Sequence, residues 1–230
     1  AVLARHLWVD FGVLKTVLKI GVPTGVQLVV ISIAELALLS FVNGFGSDAT
    51  AAYGAGTQII SYVQFPAMSI AITASILGAQ AIGSGNTERL DAITRTGLCL
   101  NVAITGVLVL MALLFSRAVI GWFTTSAEVM SLAQSLLHIS LWSSVIFGMA
   151  SVFSGVMRSS GTVMAPTAIS ILAIAAVEVP VAWVLSRHIG TDGIWAAYPA
   201  AFLAMFVMQG LYYAFVWRRR AQRFGIRRMV

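Results

Sequence analysis

Residues 22–42 read VPTGVQLVVISIAELALLSFV, and this stretch decides the fold. As a helix, twenty-one residues reach about 30 Å at 1.5 Å per residue, the thickness of a bilayer's hydrocarbon core. Only one side chain in the run ionises, and it is Glu35. A carboxylate within a membrane span costs several kcal/mol unless something pairs, hydrates or protonates it.

The same pattern repeats outward along the chain, in Ile59–Ile82, Leu98–Phe115, Leu132–Met157, Ala165–Leu185 and Ile194–Trp217. The chain is 59% hydrophobic and 10% charged, with mean hydropathy +0.93. A soluble chain would carry polar helix faces, and a membrane β-barrel would alternate in segments of about ten residues. Neither pattern is present. The expected fold is an all-α membrane protein of six transmembrane helices, over about 16–42, 49–83, 97–115, 128–157, 165–186 and 193–217. A basic tail follows at 218–230. The loops are short, so residues 1–230 are expected to form a single helical lobe. No signal peptide is expected, since the first apolar run is too long and five more follow.

Charge sets the expected orientation. Six spans place both termini on one side, with Arg5, Lys15, Lys19, Arg89, Arg95, Arg158, Arg218, Arg219, Arg220, Arg223, Arg227 and Arg228. The opposite side keeps Arg117 and Arg187. This excess predicts cytoplasmic termini in a cell (inner) membrane. The tail WRRRAQRFGIRR is read as touching anionic headgroups, and no nucleic-acid partner is expected. His6, His138 and His188 are scattered without ligand spacing, so no metal site is expected. Cys99 is the only cysteine and has no partner for an intrachain disulfide. No nucleophile, base and orienter fall together, so an enzyme is not expected.

Two of the eight acids fall within spans, Glu35 and Glu178. Glu35 precedes Asn43 by eight residues and Glu178 precedes Arg187 by nine. Both helices run the same way, which places both carboxyls about 12–14 Å below the outer boundary. Thr24 and Ser32 share the face of Glu35, and Gln27 borders it. Thr167 shares the face of Glu178. A desolvated carboxyl without a cation favours its neutral form, so each would take up H⁺ or hold Na⁺. The plainer reading is a protonated Glu making one interhelical hydrogen bond. On the second span Thr57, Ser61 and Gln64 align at i, i+4, i+7, with Gln58, Tyr62, Ser69 and Thr73 on an adjoining face. They would line a wet substrate path, or simply let helices pack closely. Pro66, Pro180 and Pro199 are expected to bend their helices, while Pro23 and Pro166 are read as first-turn prolines.

Three stretches carry a family resemblance: KIGVPTGVQ leading to AELALLSFVNGFGSDATAAYGAG, then ILGAQAIGSGNTERL, and then SGVMRSSGTVMAP. In order and spacing they resemble the C-terminal half of a multidrug and toxic compound extrusion (MATE) transporter. Gly78, Gln80 and Gly83 match the family's Gly-x-Gln-x-x-Gly segment. Gly155, Arg158, Gly161 and Pro166 match its turn between the tenth and eleventh helices, and Ser159 stands where glycine-like residues are common. The resemblance implies one six-helix lobe of a twelve-helix, two-lobe antiporter, partnered by an N-terminal lobe. Such proteins export amphipathic, often cationic, organic compounds against H⁺ or Na⁺ by alternating access, with no cofactor beyond that ion. Glu35 matches an acidic position of the seventh helix that takes part in cation coupling in some members. The aspartates that others carry in the tenth helix are absent here, and Glu178 matches no family role. Two other readings stay open: a lipid-linked sugar flippase of related architecture, which would call for cationic residues in the cleft, and a non-transporting membrane scaffold subunit.

Overall fold

The computed structural model describes residues 10–219. Arg5, Arg220, Arg223, Arg227 and Arg228, with most of the basic tail, lie outside the described residues. Those described are helical, with no strand among them. Five helices are long and apolar enough to cross a membrane, and a bent pair makes a sixth span.

The first span, α1, runs Phe11–Asn43 and starts earlier than hydropathy alone predicts. The reason is Asp10, whose carboxylate accepts from the backbone N–H groups of Gly12 and Val13 at 2.7 and 3.3 Å. Such a cap satisfies donors that a helix start otherwise leaves open. The earlier start carries Pro23 into the helix interior rather than its first turn. Helix α2 (Ser47–Gly83) holds Pro66 inside it, and α3 (Arg89–Leu114) leads to the short α4 (Ser116–Gly121).

The fourth span is broken where the apolar pattern predicts one helix. Helices α5 (Ala127–Ser140) and α6 (Ser143–Ser159) meet at 47°. Serines account for the break. The Ser140 hydroxyl donates to the Trp195 carbonyl at 2.9 Å, and that of Ser143 to the Ser140 carbonyl at 2.5 Å. The local bond of Ser143 to the backbone competes with the helical ladder and bends it, while the long-range bond of Ser140 ties the bend to Trp195.

The fifth span comprises α7 (Met164–Ala173), a π-helical turn over Ile174–Glu178 and α8 (Val179–Ile189). The sixth comprises α9 (Thr191–Trp195), α10 (Ala197–Tyr212) and a second π-helical turn over Tyr213–Trp217. Pro199 is the third residue of α10, in the first turn, where its missing N–H costs little.

Helix α2 is the spine, packed along α6 and also against α3 and α5. Lipid tails give apolar helices no hydrophobic reason to associate, so close van der Waals packing through small residues must do it. Ala67, Ala71 and Ala74 form such a buried row on α2. Gly155 of α6 crosses there with its Cα against the Ala71 carbonyl, leaving no room for a Cβ. Gly193 likewise presses on the Leu185 backbone, which lets α9 fold back on α8. Buried Asn101 then ties α3 to α6, its amide donating to the Val145 carbonyl at 3.0 Å while its oxygen accepts from Thr105 at 3.1 Å. The larger core, around Leu38, Ile59, Leu137 and Trp195, fills one end of the lobe. A second, around Leu90, Val156, Met157 and Trp217, fills the other.

Candidate cation-coupling site

Pro180 shapes the ground on which Glu178 stands. It supplies no N–H, and its ring crowds the preceding turn, so the ladder loosens there. The chain responds with a π-helical turn, in which the Val179 N–H reaches back to the Ile174 carbonyl. Such turns are frequent at functional sites. Glu178 ends this turn and is 6% exposed, at the level where the fifth span packs on α10 and α1.

Glu35 reaches the same neighbourhood from α1 but sits on an exposed face. The two carboxyls lie close enough to feel each other electrostatically, and both act on the hydroxyls of Tyr53 and Tyr198. Those hydroxyls are hydrogen-bonded to each other at 3.0 Å, joining α2 to the start of α10. The Tyr53 ring stacks on Trp195 at 5.8 Å, with an interplanar angle of 11°. Among the described residues no lysine or arginine pairs with either carboxyl. Two acids and two phenols thus lie in one neighbourhood, with only the Tyr53–Tyr198 bond joining any of them directly.

A second cluster lies on α1 eight residues before Glu35, about 12 Å along the axis. There the Arg158 guanidinium donates to the Gln27 side-chain oxygen at 2.8 Å, and the Thr167 hydroxyl donates to the same oxygen at 3.3 Å. One glutamine thus joins α1, α6 and α7. The Arg158 Nε–H is buried without a partner among the described residues. Losing a buried donor's acceptor costs about 1–3 kcal/mol. Gln27→Leu is therefore expected to lower the thermal midpoint of the detergent-solubilised protein by that equivalent. An unchanged midpoint would mean that the bond contributes nothing to stability.

The remaining candidates fall in two places. Thr24, Thr57 and Ser61 donate to carbonyls of their own helices, from Ile20, Tyr53 and Thr57 at 2.9, 2.7 and 2.9 Å. Ser32, Gln58 and Tyr62 lie on exposed faces, and Gln64 is half-buried. Tyr53, Tyr198 and Trp195 escaped the sequence reading. The signal was present for Tyr53, which precedes Thr57 and Ser61 by four and eight residues and so shares their face. Nothing in the sequence linked it to Tyr198, 145 residues away.

The described residues form a helical, multi-pass membrane lobe with one buried and one exposed acid within its spans. The MatE family profile matches residues 23–184, and the chain belongs to that family. It is 45% identical over 218 residues to the probable multidrug resistance protein YoeA of Bacillus subtilis, covering 94% of this chain and 47% of that one. It is 26% identical over 212 residues to the multidrug export protein MepA of Staphylococcus haemolyticus, covering 90% and 46%. Among solved structures, it superposes on the outward-facing form of a multidrug resistance MATE family transporter with a TM-score of 0.84 at 19% identity, covering 96% and 49%. For the bent form of the Vibrio cholerae MATE transporter VcmN the TM-score is 0.83 at 16% identity, covering 94% and 49%. The chain spans about half the length of the relatives it matches.

Proposed function

We propose that this chain forms one lobe of a secondary active antiporter that exports amphipathic, often cationic, organic compounds in exchange for H⁺ or Na⁺. The observation that carries the reading is a pair of acids within the spans, Glu35 exposed on α1 and Glu178 buried on the fifth span, neither of them ion-paired to a lysine or arginine among the described residues. Two such carboxyls repel when both are charged, so an arriving H⁺ or Na⁺ relieves the repulsion and is held. The multidrug resistance and export names of the relatives support a substrate of this kind.

The cycle follows from position. Glu35 stands on the exposed side of α1, where a second, N-terminal lobe would close the cleft. Glu178 is buried on the fifth span, at a turn already loosened before Pro180. Cation binding draws the two acids together and favours one rotation of α1 against α8. Substrate on the exposed face favours the other. Two ligands that prefer different states of one element suffice for exchange, with the lobes rocking to expose the site first inward and then outward. The Tyr53–Tyr198 hydroxyl pair gives the acids a fixed polar neighbour across this motion.

The test uses everted vesicles containing the full-length protein. Accumulation of a fluorescent organic cation is followed under an imposed pH or Na⁺ gradient, for wild type and Glu35→Gln at matched expression. Accumulation in wild type that is lost in the variant supports coupling through Glu35, and the effective gradient names the ion. Equal accumulation in both removes Glu35 from the mechanism.

A further inference from the structure

We propose that the groove between α3 and the π-helical turn after α10 is a docking site for an anionic phospholipid of the leaflet at the Arg158 end of the lobe. The groove has a volume of about 420 Å³ and is graded in polarity along α3. Asp91 and Arg95 line it near the start of α3, and Leu98 and Cys99 line it further along that helix, with Phe153 of α6 beside them. From Asp91 to Cys99 the helix rises about 12 Å, which takes the wall from charged to apolar. A phospholipid has the same gradient, with a charged phosphate above an acyl chain.

The rim is built to receive an anion. Arg218 is held across the groove by Asp91, Nη2 to Oδ2 at 2.6 Å, which neutralises that carboxylate. Arg95, one turn along α3 from Asp91, is exposed and makes no ion pair or hydrogen bond among the described residues. Two guanidiniums against one carboxylate leave a net positive charge in the groove. Glu88, the other acid near this end, sits at the start of α3 and does not line it. Exposed arginines beside a membrane span attract anionic headgroups, and a guanidinium suits a phosphate's paired oxygens.

The opposite wall is fixed. The Tyr213 and Thr94 hydroxyls are hydrogen-bonded at 3.0 Å, closing the groove floor. The π-helical turn bonds the Arg218 N–H to the Tyr213 carbonyl, so both residues are set on the groove side together. Behind them the Trp217 ring stacks on Tyr213 at 5.2 Å, and its Nε1–H donates to Ser160 at 2.8 Å. This wall is pre-formed by contacts that do not involve Arg95.

Cys99, an exposed residue of the groove lining, reports on occupancy. The full-length protein, with any cysteine outside residues 1–230 replaced by serine, is reconstituted into vesicles of phosphatidylcholine alone or with added phosphatidylglycerol. The rate of Cys99 alkylation by uncharged N-ethylmaleimide is then compared for wild type, Arg95→Gln and Arg95→Lys. Phosphatidylglycerol is expected to slow alkylation severalfold in wild type and Arg95→Lys, and much less in Arg95→Gln. The variants share any effect of surface potential on the thiol, so that effect cancels. Equal slowing in wild type and Arg95→Gln would overturn the proposal. So would no slowing in wild type, or the same protection by inorganic phosphate in phosphatidylcholine vesicles, which would assign the groove to a free anion.

Discussion

The Glu35→Gln/Glu178→Gln double variant is expected to transport no worse than either single variant. Each single change is expected to reduce gradient-driven export by about ten- to a hundredfold, the equivalent of one charge-assisted contact of roughly 1.5–3 kcal/mol. If the two carboxyls hold one ion between them, removing the first already empties the site, and removing the second has nothing left to lose. Residues that act as a unit are non-additive in this way. Two independent ion sites would instead give losses that multiply. The measurement is the initial rate of substrate accumulation in vesicles at matched expression, alongside substrate binding to the purified protein. Retained binding with lost accumulation would locate the defect in coupling. Full activity of Glu178→Gln beside an inactive Glu35→Gln would make the buried acid a packing element only. The geometry argues otherwise, because Glu178 is buried with no lysine or arginine beside it.

Gly155→Ala is expected to be among the most damaging small changes in the lobe. A Cβ at this position would collide with the Ala71 carbonyl of α2, and backbone cannot rotate away as a side chain can. The helices must part, and the loss spreads through the Ala67, Ala71 and Ala74 row that seats α6 on the spine. Overpacking of this kind costs about 1–3 kcal/mol, sometimes more. The check is the fraction of monodisperse protein recovered in detergent and its thermal midpoint. Gly106→Ala is the control, since nothing lies within 4 Å of the Cβ it would add. That variant is expected to match wild type or exceed it slightly, because alanine is the better helix former. Equal recovery of both variants would show that the α2–α6 crossing relaxes more easily than its geometry implies.

By itself the sequence determined that the chain is a set of helices long and apolar enough to cross a membrane. Hydropathy is a local property, so six apolar runs announce six spans wherever their neighbours end up. Glu35 was legible for the same reason, since one acid in an apolar run stands out without any knowledge of the fold. The order of three short stretches carried the family. The bend at Leu141 and Trp142 was not legible, because serine reads as a mild polar residue until its hydroxyl is seen bonded to the backbone. The early start of α1 depended on the Asp10 cap, which hydropathy does not weigh.

Only the tertiary structure decided which faces meet. Gln27 looked like part of a polar stripe beside Glu35, yet its oxygen is taken by Arg158 and Thr167 on two other helices. Glu178 had a depth in common with Glu35, but depth fixes only the coordinate along the membrane normal. Its nearness to Glu35, Tyr53 and Tyr198 depends on how each helix is rotated and which helices adjoin. Those rotations are set by close backbone crossings such as Gly155 on Ala71 and by the loosened turn before Pro180. Helix periodicity records which residues share a face, while the partner of that face is fixed by packing between residues far apart in the chain.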